Sequence, residues 1–566
     1  MKSINGARMV LECLKRLGVE DVFGYPGGAV IPLYDEIYDF EGINYYFNRH
    51  EQGSAHAADA YARVSGKLGV CIATSGPGAT NLVTGIMTAH MDSVPLLAIT
   101  GQVPVSMLGK DAFQESDMVG ITMPITKHNY LIKDIREIPR IFKEATYIAM
   151  TGRPGPVLID LPKDVQIDNI PYSEFETLYS EELKMKSYKP NYNGHPRQIK
   201  LASKAISEAK KPVILAGAGV INAGASKLLL EFAEKLEIPV GMSLLGLGIM
   251  PIGHELNLEM LGMHGTVYSN YAVHNSDLVI AIGMRFDDRI TGNPQTFCPN
   301  AKVIHIDIDP AEISKNVNAN IPIVGDAKNV LLELLSRTKE KQHKEWLEEI
   351  KNWKKQYPMK YIQKEGEITP PYLLELISKI TEGKGVICTD VGQHQMWTAQ
   401  YYKFSQSRNL ASSGGAGTMG YGLPAALGAQ VARPQDTVIA VVGDGGFQMT
   451  SQELMTIVQY KLPVKIVIVN NGYLGMVRQW QEIFKNKRYS SVDLSINPDF
   501  VKLADAYGVK AIRVEDPSKL EEILKENLFL NEPILFDVKV SREDNVLPMI
   551  PAGKSVKELM GAKGEL

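Results

Sequence analysis

Short runs of Val, Ile and Leu recur along the chain. Each is followed by glycines and then by apolar residues at the three- and four-residue spacing of a helix, a pattern that reads as parallel strands buried on both faces and joined by crossover helices. Three blocks emerge. The first carries strand-like runs at Val70 to Thr74, Leu96 to Thr100 and Val157 to Leu161, and opens with an amphipathic helix within Met1 to Val19. The second has Val213 to Ala216, Leu278 to Ile282 and Val303 to Ile306, and the third Val386 to Thr389, Val438 to Val442 and Lys465 to Val469. The expected fold class is α/β, with three doubly wound domains of mainly parallel sheets at residues 1–170, 197–338 and 369–545. A polar, Tyr/Pro/Asn-rich linker spans 171–196, a charged helical linker 339–368, and a tail 546–566.

Composition sharpens this picture more by exclusion than by addition. A chain of 566 residues, 45% apolar and 22% charged, is too long for one core and has little room for disorder. The formal net charge is −4, and the Lys-rich run from Lys339 to Lys355 alternates with glutamates as a solvated helix face does, so no nucleic-acid partner is expected. The four cysteines, Cys13, Cys71, Cys298 and Cys388, lie far apart without C-x-x-C spacing. That argues against a zinc site or disulfide framework and fits a cytoplasmic protein. Lys2, Arg8, Glu12, Lys15 and Arg16 interrupt the amino-terminal apolar positions, unlike a signal peptide, and no run of eighteen apolar residues suggests a membrane span.

The segment from Val438 is the most informative for chemistry. A strand leads into Gly443-Asp444-Gly445-Gly446, a helix follows whose Thr450-Ser451-Gln452-Glu453 start has the form of a capping box, and a second strand ends in Asn470-Asn471. Ligands bind open parallel sheets at the carboxyl ends of strands, and here a carboxylate and an amide sit at two such ends. Their hard oxygens suit Mg²⁺ or Ca²⁺ rather than zinc, with octahedral positions left for a backbone carbonyl, water and diphosphate oxygens. Gly445 and Gly446 allow backbone N–H groups to approach phosphates at a helix N-terminus. A Gly-Asp pair on its own is an ordinary β-turn; the spacing to the second asparagine carries the information.

Gly-Asp-Gly followed by Asn-Asn, with Asp444 and Asn471 twenty-seven positions apart, resembles the thiamine-diphosphate fingerprint of the pyruvate-decarboxylating enzymes. The resemblance implies thiamine diphosphate and Mg²⁺ as cofactors, with Asp444, Asn471 and the Tyr473 carbonyl on the metal. It makes Glu51, in Arg49-His50-Glu51-Gln52-Gly53, the glutamate that holds the aminopyrimidine in the tautomer able to remove the thiazolium C2 proton. It also makes Met419, in Gly417-Thr418-Met419-Gly420-Tyr421-Gly422, the wedge beneath a bent cofactor. Taken singly, Glu51 reads as an exposed acid in a first helical turn and Met419 as a core methionine.

Further motifs resemble the acetolactate synthase family over nearly the whole chain: Phe23 to Gly28, Ala73 to Asn81, Asp111 to Glu115, Gly152 to Val157 and Asp390 to His394. By that similarity Tyr25, Thr74, Pro77 and Asn81 line the pyrimidine side, while Gly28, Gln114 and Lys163 face the reacting carbons. Gly392, Gln393 and His394 hold the diphosphate, with Gly417 beside the wedge. Met476 and Trp480, four apart on a helix, shape the pocket for the second keto acid, although spacing alone reads them as a core-facing pair.

In the middle block, Gly217-Ala218-Gly219 follows a strand but lacks G-x-G-x-x-G spacing, a weak dinucleotide signal. Gly283-Met284-Arg285-Phe286-Asp287-Asp288-Arg289, with His264, Asp307 and Asp326 and joined by Arg153, resembles the FAD site of the anabolic members; catabolic, flavin-free members lack the Arg-Phe-Asp-Asp-Arg run. FAD is therefore implied, in a largely structural role, with Asp307 standing where many relatives carry glutamate.

The activity implied is decarboxylation of pyruvate and transfer of its two-carbon unit to pyruvate or 2-ketobutyrate, the first common step of branched-chain amino acid biosynthesis. A homodimer or dimer of dimers with cross-chain sites is implied too. So is a separate small regulatory subunit, because the chain ends without an appended amino-acid-binding domain. The nearest rival is a pyruvate oxidase or other 2-keto-acid decarboxylase of the same fold, against which the Arg285 to Arg289 run and Trp480 speak. A non-catalytic flavin-binding regulatory relative is opposed by the joint presence of Glu51, Asp444 and Asn471.

Overall fold

The computed structural model describes residues 3–562; Met1, Lys2 and the last four residues of the expected tail lie outside the described residues. The initial amphipathic pattern forms helix Gly6–Arg16, capped by the Asn5 side chain on the Arg8 N–H, with Met9, Val10, Leu11, Cys13 and Leu14 buried. The preceding strand Ser3–Asn5 pairs antiparallel with Asn169–Pro171 and ties the start of the first domain to its end.

Three six-stranded parallel sheets hold the remaining described strands. In the first, Asp21–Gly24, Asn44–Phe47, Gly69–Ala73, Leu96–Gln102, His128–Leu131 and Pro156–Pro162 follow one another along the chain. Numbered one to six, they lie in the order 2-1-3-4-6-5. The third sheet repeats that order with Val386–Thr389, Leu410–Ser412, Val438–Gly443, Lys465–Asn470, Lys510–Val514 and Ile534–Lys539. The middle sheet, from Pro212–Ala216, Val240–Met242, Asn257–Met260, Leu278–Ile282, Lys302–Asp307 and Ile321–Val324, has the dinucleotide-fold order 3-2-1-4-5-6. Each sheet therefore reverses its winding between its first strand and a neighbour, the place where such sheets bind ligands.

Alternate side chains of the interior strands face two different cores, which is why these strands read as unbroken apolar runs. In the third domain, Cys388, Ala440, Val442, Ile466 and Ile468 face a cluster shared with the first domain, including Ala55, Ala57, Ala58 and Leu96. On the opposite face, Ile387, Ile439, Val441, Val467 and Phe536 belong to a cluster that continues into Ile214, Ile280 and Ile304 of the middle domain. The first and third domains meet where helix Glu51–Ser65 crosses helix Gly422–Ala432. A Cβ on Gly428 would fall 1.9 Å from the Ala57 carbonyl oxygen, so only a glycine permits this crossing as built.

A buried ionic group braces the same crossing. Arg63 donates to Asp59 at 2.6 Å and to Asp92 at 2.9 Å, Tyr421 donates to Asp59 at 2.6 Å, and Asp92 accepts from the N–H groups of Gly414 and Gly415 at 2.9 and 2.7 Å. The loop carrying Met419 is thereby hung on two helices of the first domain.

Three local readings need correction or refinement. The segment from Thr450 to Glu453 forms no capping box: the first helix starts at Asp444 itself, and helix Glu453–Gln459 has no side-chain cap. Glu453 instead reaches across the domain boundary to the Asn48 side chain and the Arg49 N–H, both at 3.0 Å, and Thr450 donates to the Gly420 carbonyl. The charged run after 339 does form an exposed face, on helix Lys344–Gln356, but Trp346 and Ile350 anchor its other face against the middle sheet. Within 171–196, helix Tyr172–Ser180 packs Phe175 onto the first domain before irregular chain leads to helix Pro196–Glu208.

Candidate active site

In the first domain the reversal of winding lies between strands Asp21–Gly24 and Gly69–Ala73, so Tyr25 and Thr74 leave the sheet side by side. Thr74 packs beneath Gly27, where a Cβ would come within 2.4 Å of its methyl group, and its hydroxyl accepts the Ala29 N–H at 3.2 Å. Tyr25 rests against Phe47. Gly76, at φ +60°, turns the chain into a short helix begun by Pro77, and Asn81 at its end donates to the Glu51 carboxylate at 3.0 Å. Glu51 opens its helix capped by the His50 ring and is 8% exposed; it sits 3.1 Å from where Gly78 would carry a Cβ. Glu51, Thr74, Pro77 and Asn81 are thus one group, with Tyr25 at its edge. Gln114 lies over Gly76 in a left-handed conformation at φ +60°. Gly28 has open space where a side chain would stand, and Lys163 begins the helix after strand Pro156–Pro162. Phe113, beside Gln114, is 89% exposed, an apolar ring that the described residues leave uncovered.

In the third domain the corresponding reversal lies between Val386–Thr389 and Val438–Gly443. Asp390, which the site reading passed over, is the hub there: its carboxylate accepts from the N–H groups of Val391, Gly420 and Gly422 at 2.8 to 3.0 Å. Burial pushes its carboxyl up to about 6, against those three hydrogen bonds. Gly446 must lack a side chain because a Cβ would meet Asp390 at 2.4 Å, while Gly445 faces Leu474 at 2.6 Å and Met419 at 3.9 Å. The His394 ring lies against Gly392 and Gly443, burial lowers it to about 4, and its Nε2 is buried without a partner. A neutral imidazole with an unused nitrogen, in a glycine-lined recess at a helix N-terminus, suits a diphosphate oxygen.

Asp444 and Asn471 follow the adjacent strands Val438–Gly443 and Lys465–Asn470, whose register pairs Gly443 with Val469. Asp444 is buried, and that burial raises its carboxyl to about 6. The Asn471 side chain contacts Gln393 at 3.3 Å, and its oxygen accepts the Tyr473 N–H at 3.1 Å in a turn made possible by Gly472 at φ +67°. Among the described residues no three His, Cys, Asp or Glu side chains cluster as metal ligands. A donor set of one carboxylate, one amide and a carbonyl fits an oxygen-seeking divalent cation completed by phosphate and water.

A cavity of about 690 Å³ lies where the three domains meet. Arg153, Gly217, Gly219, His264, Gly283, Arg285, Asp287, Arg289, Asp307 and Asp326 all line it, and so do Gly392, Gly417, Met419, Met476 and Trp480. Gly217 and Gly219 meet Gly283 backbone to backbone, with N–H donation from Gly219 to the Gly283 carbonyl at 3.0 Å. This volume is within the range of cofactor sites, and two buried ring nitrogens, His264 Nδ1 and Trp480 Nε1, have no hydrogen-bond partner among the described residues. The residues present therefore fit a dinucleotide such as FAD. Arg153 is held by Asp309 and Glu312, Asp326 caps helix Ala327–Arg337, and burial raises Asp307 to about 6. The cation of Arg289 stands 5.6 Å from the Trp480 ring. The group formed by Tyr25, Glu51, Thr74, Pro77 and Asn81 does not line this cavity.

Comparison with known proteins matches all three domains to one family. The model of the N-terminal, cofactor-binding domain of thiamine pyrophosphate enzymes covers residues 4–121, that of the central domain 199–334, and that of the C-terminal cofactor-binding domain 390–538. The acetolactate synthase large subunit of Haemophilus influenzae is 48% identical over 570 aligned positions, spanning 100% of this chain and 99% of its own. The probable acetolactate synthase large subunit of Methanocaldococcus jannaschii is 52% identical over 97% of this chain and 94% of its own length. Acetolactate synthase isozyme 3 large subunit of Escherichia coli is 47% identical over the full length of both.

Proposed function

This chain belongs to the acetolactate synthase large subunits among the thiamine pyrophosphate enzymes, and from that membership we infer how its site is assembled and used. The reaction is the first step of branched-chain amino acid biosynthesis: two 2-keto acids, one of them pyruvate, yield CO₂ and a branched 2-hydroxy-3-keto acid. Thiamine diphosphate, when bound, supplies the electron sink for the carbon–carbon bond changes.

The chain's own groups do the rest. Glu51, held by Asn81 in a nearly closed recess, presents its carboxylate to the aminopyrimidine and moves the proton there. Asp444, Asn471 and the Tyr473 carbonyl would hold Mg²⁺, Gly392, Gln393 and His394 would hold the diphosphate, and Met419 would support the cofactor from below. Gly28, Gln114 and Lys163 face the reacting carbons, and Met476 and Trp480 shape the acceptor pocket and exclude water that would divert the two-carbon unit. FAD occupies the large cavity along Arg153, Gly217, Gly219, His264, Gly283, Arg285, Asp287, Arg289, Asp307 and Asp326. The absence of the Glu51 group from the lining of that cavity, together with the uncovered Phe113, supports a homodimer in which each site draws Glu51 from one protomer and Asp444 from the other. The relatives' designation as large subunits supports a small-subunit partner, and four unpaired cysteines suit the cytoplasm.

The observation that carries this reading is the pairing of two sets at winding reversals: a buried, amide-held carboxylate in the first domain, and a carboxylate–amide pair beside a phosphate recess in the third. Purified enzyme should convert pyruvate anaerobically to acetolactate with the flavin remaining oxidised, and omission of thiamine diphosphate or Mg²⁺ should abolish turnover. Oxygen or quinone consumption stoichiometric with pyruvate would overturn it. Co-expression of Glu51→Gln and Asp444→Asn chains, each inactive alone, should restore activity in mixed dimers; no restoration would refute the cross-chain site.

A further inference from the structure

Asn497 lies outside every motif, on the loop that follows helix Gly475–Phe484, yet its amide is 2.7 Å from the Oδ2 of Asp444. Its orientation is determined by a third side chain. Gln448, one turn after Asp444 on helix Asp444–Thr450, donates from Nε2 to the Asn497 Oδ1 at 2.9 Å and to the Asp444 backbone carbonyl at 3.0 Å. With its oxygen committed to Gln448, the Asn497 side chain can turn only its NH₂ toward the carboxylate. One carboxylate oxygen is thereby occupied by a neutral donor and the other is left for a cation, the arrangement by which outer groups orient metal ligands.

The same stretch of chain also braces the second corner of the metal site. Leu474 donates its N–H to the Val492 carbonyl at 2.8 Å, and Leu494 donates to the Gly472 carbonyl at 2.9 Å. Tyr473 and Asp493 form an antiparallel bridge between these bonds. The Asp493 side chain closes its own turn by accepting the Ser495 N–H at 2.7 Å. Residues 492–497 therefore touch both the turn that offers the Tyr473 carbonyl and the carboxylate of Asp444, although the two ligands are twenty-nine positions apart in sequence.

We propose that Asn497 is a positioning residue for Asp444, and that residues 492–497 act as one clip setting the spacing of the carboxylate and carbonyl corners of the metal site. The proposal rests on the reading of Asp444 as a metal ligand. An uncharged donor on Oδ2 fixes the carboxylate rotamer without competing for the cation, so its loss should weaken metal and diphosphate retention rather than slow the chemistry of a filled site.

The test is Mg²⁺ titration of the cofactor-stripped full-length enzyme at fixed thiamine diphosphate, followed by tryptophan fluorescence and in parallel by turnover. Asn497→Ala should raise half-saturating Mg²⁺ by about 10- to 100-fold, with kcat and the KM for pyruvate near wild type once Mg²⁺ saturates. Gln448→Ala, which frees the Asn497 amide to rotate but keeps it present, should shift the midpoint the same way by less and covers the case in which Asn497→Ala folds poorly. Leu332→Ser, at a half-exposed side chain on helix Ala327–Arg337 of the middle domain and outside the clip, should leave the midpoint unchanged. An unaltered midpoint in both amide variants, or a kcat loss that saturating Mg²⁺ does not reverse, overturns the proposal. A wild-type chain whose thiamine diphosphate binding ignores Mg²⁺ overturns the metal reading itself, a different result from failure of the variants alone.

Discussion

His56 offers a pH test of the contact between the first and third domains. It is fully buried on helix Glu51–Ser65, edge-on to the Tyr421 ring at 5.2 Å, with Gln52 near its Nε2 and no partner on Nδ1. Burial, and secondarily the Arg63 cation, lowers it from 6.5 to about 3; the other ionisable groups in that network are Asp59, Asp92 and Tyr421. The folded chain therefore holds His56 neutral while the unfolded chain protonates it below 6.5, so the unfolded state binds more protons and stability falls as pH falls. At 1.36 kcal/mol per pK unit, the penalty is about 0.2 kcal/mol at pH 7, about 0.8 at pH 6 and about 2 at pH 5. His56→Gln does not titrate and lacks this slope, whatever constant offset its altered packing adds. Urea unfolding of both proteins at pH 7, 6 and 5, with midpoints converted through each transition's own slope, should show the variant gaining about 2 kcal/mol on wild type across that range. A difference that stays flat within about 0.5 kcal/mol would mean the imidazole is not held neutral, and the packing account of this crossing would fail.

Gly428→Ala should lower the thermal midpoint by several degrees, since the added methyl meets the Ala57 carbonyl oxygen at 1.9 Å and overpacking of this kind costs about 1–3 kcal/mol; an unchanged midpoint would show that the helices separate freely. Arg63→Met leaves Asp59 and Asp92 buried without their cation and should cost about 3–5 kcal/mol in denaturant unfolding, with partial recovery when Asp59→Asn is added. Asp326→Ala removes the acceptor for the Lys328 and Asn329 N–H groups and should cost about 1 kcal/mol, read as faster amide exchange in the first turn of helix Ala327–Arg337.

The interior strands were legible because burial on both faces makes them unbroken apolar runs; Val438 to Val442 and Leu278 to Ile282 are found where the runs lie. Edge strands such as His128–Leu131, Asn257–Met260 and Leu410–Ser412 are short and half-covered, and leave no such run. Ile534–Lys539 is interior yet broken by Asp537, a buried acid matched to Asn470 and Arg513 from neighbouring strands. Asp444 and Asn471 were readable because a crossover helix fixes the spacing between adjacent strand ends. The roles of Asp390 and Asn497 were not, because their contacts are set by loops dozens of residues away. Glu453 shows the opposite error: a local pattern suggested a cap, while a backbone N–H of the first domain won its carboxylate.

The alanine face of helix Glu51–Ser65 is covered by residues roughly 370 positions later in the chain, Gly428 and its neighbours. At translation rates of about 5–20 residues per second, the nascent first domain waits roughly 20 to 70 seconds on the ribosome for that cover. Throughout that interval a strip of small apolar side chains stands in water beside Asp59 and Asp92, which already pair with Arg63 but still lack the Tyr421 hydroxyl and the Gly414 and Gly415 N–H groups. During synthesis, then, this helix is the surface a chaperone has most reason to hold.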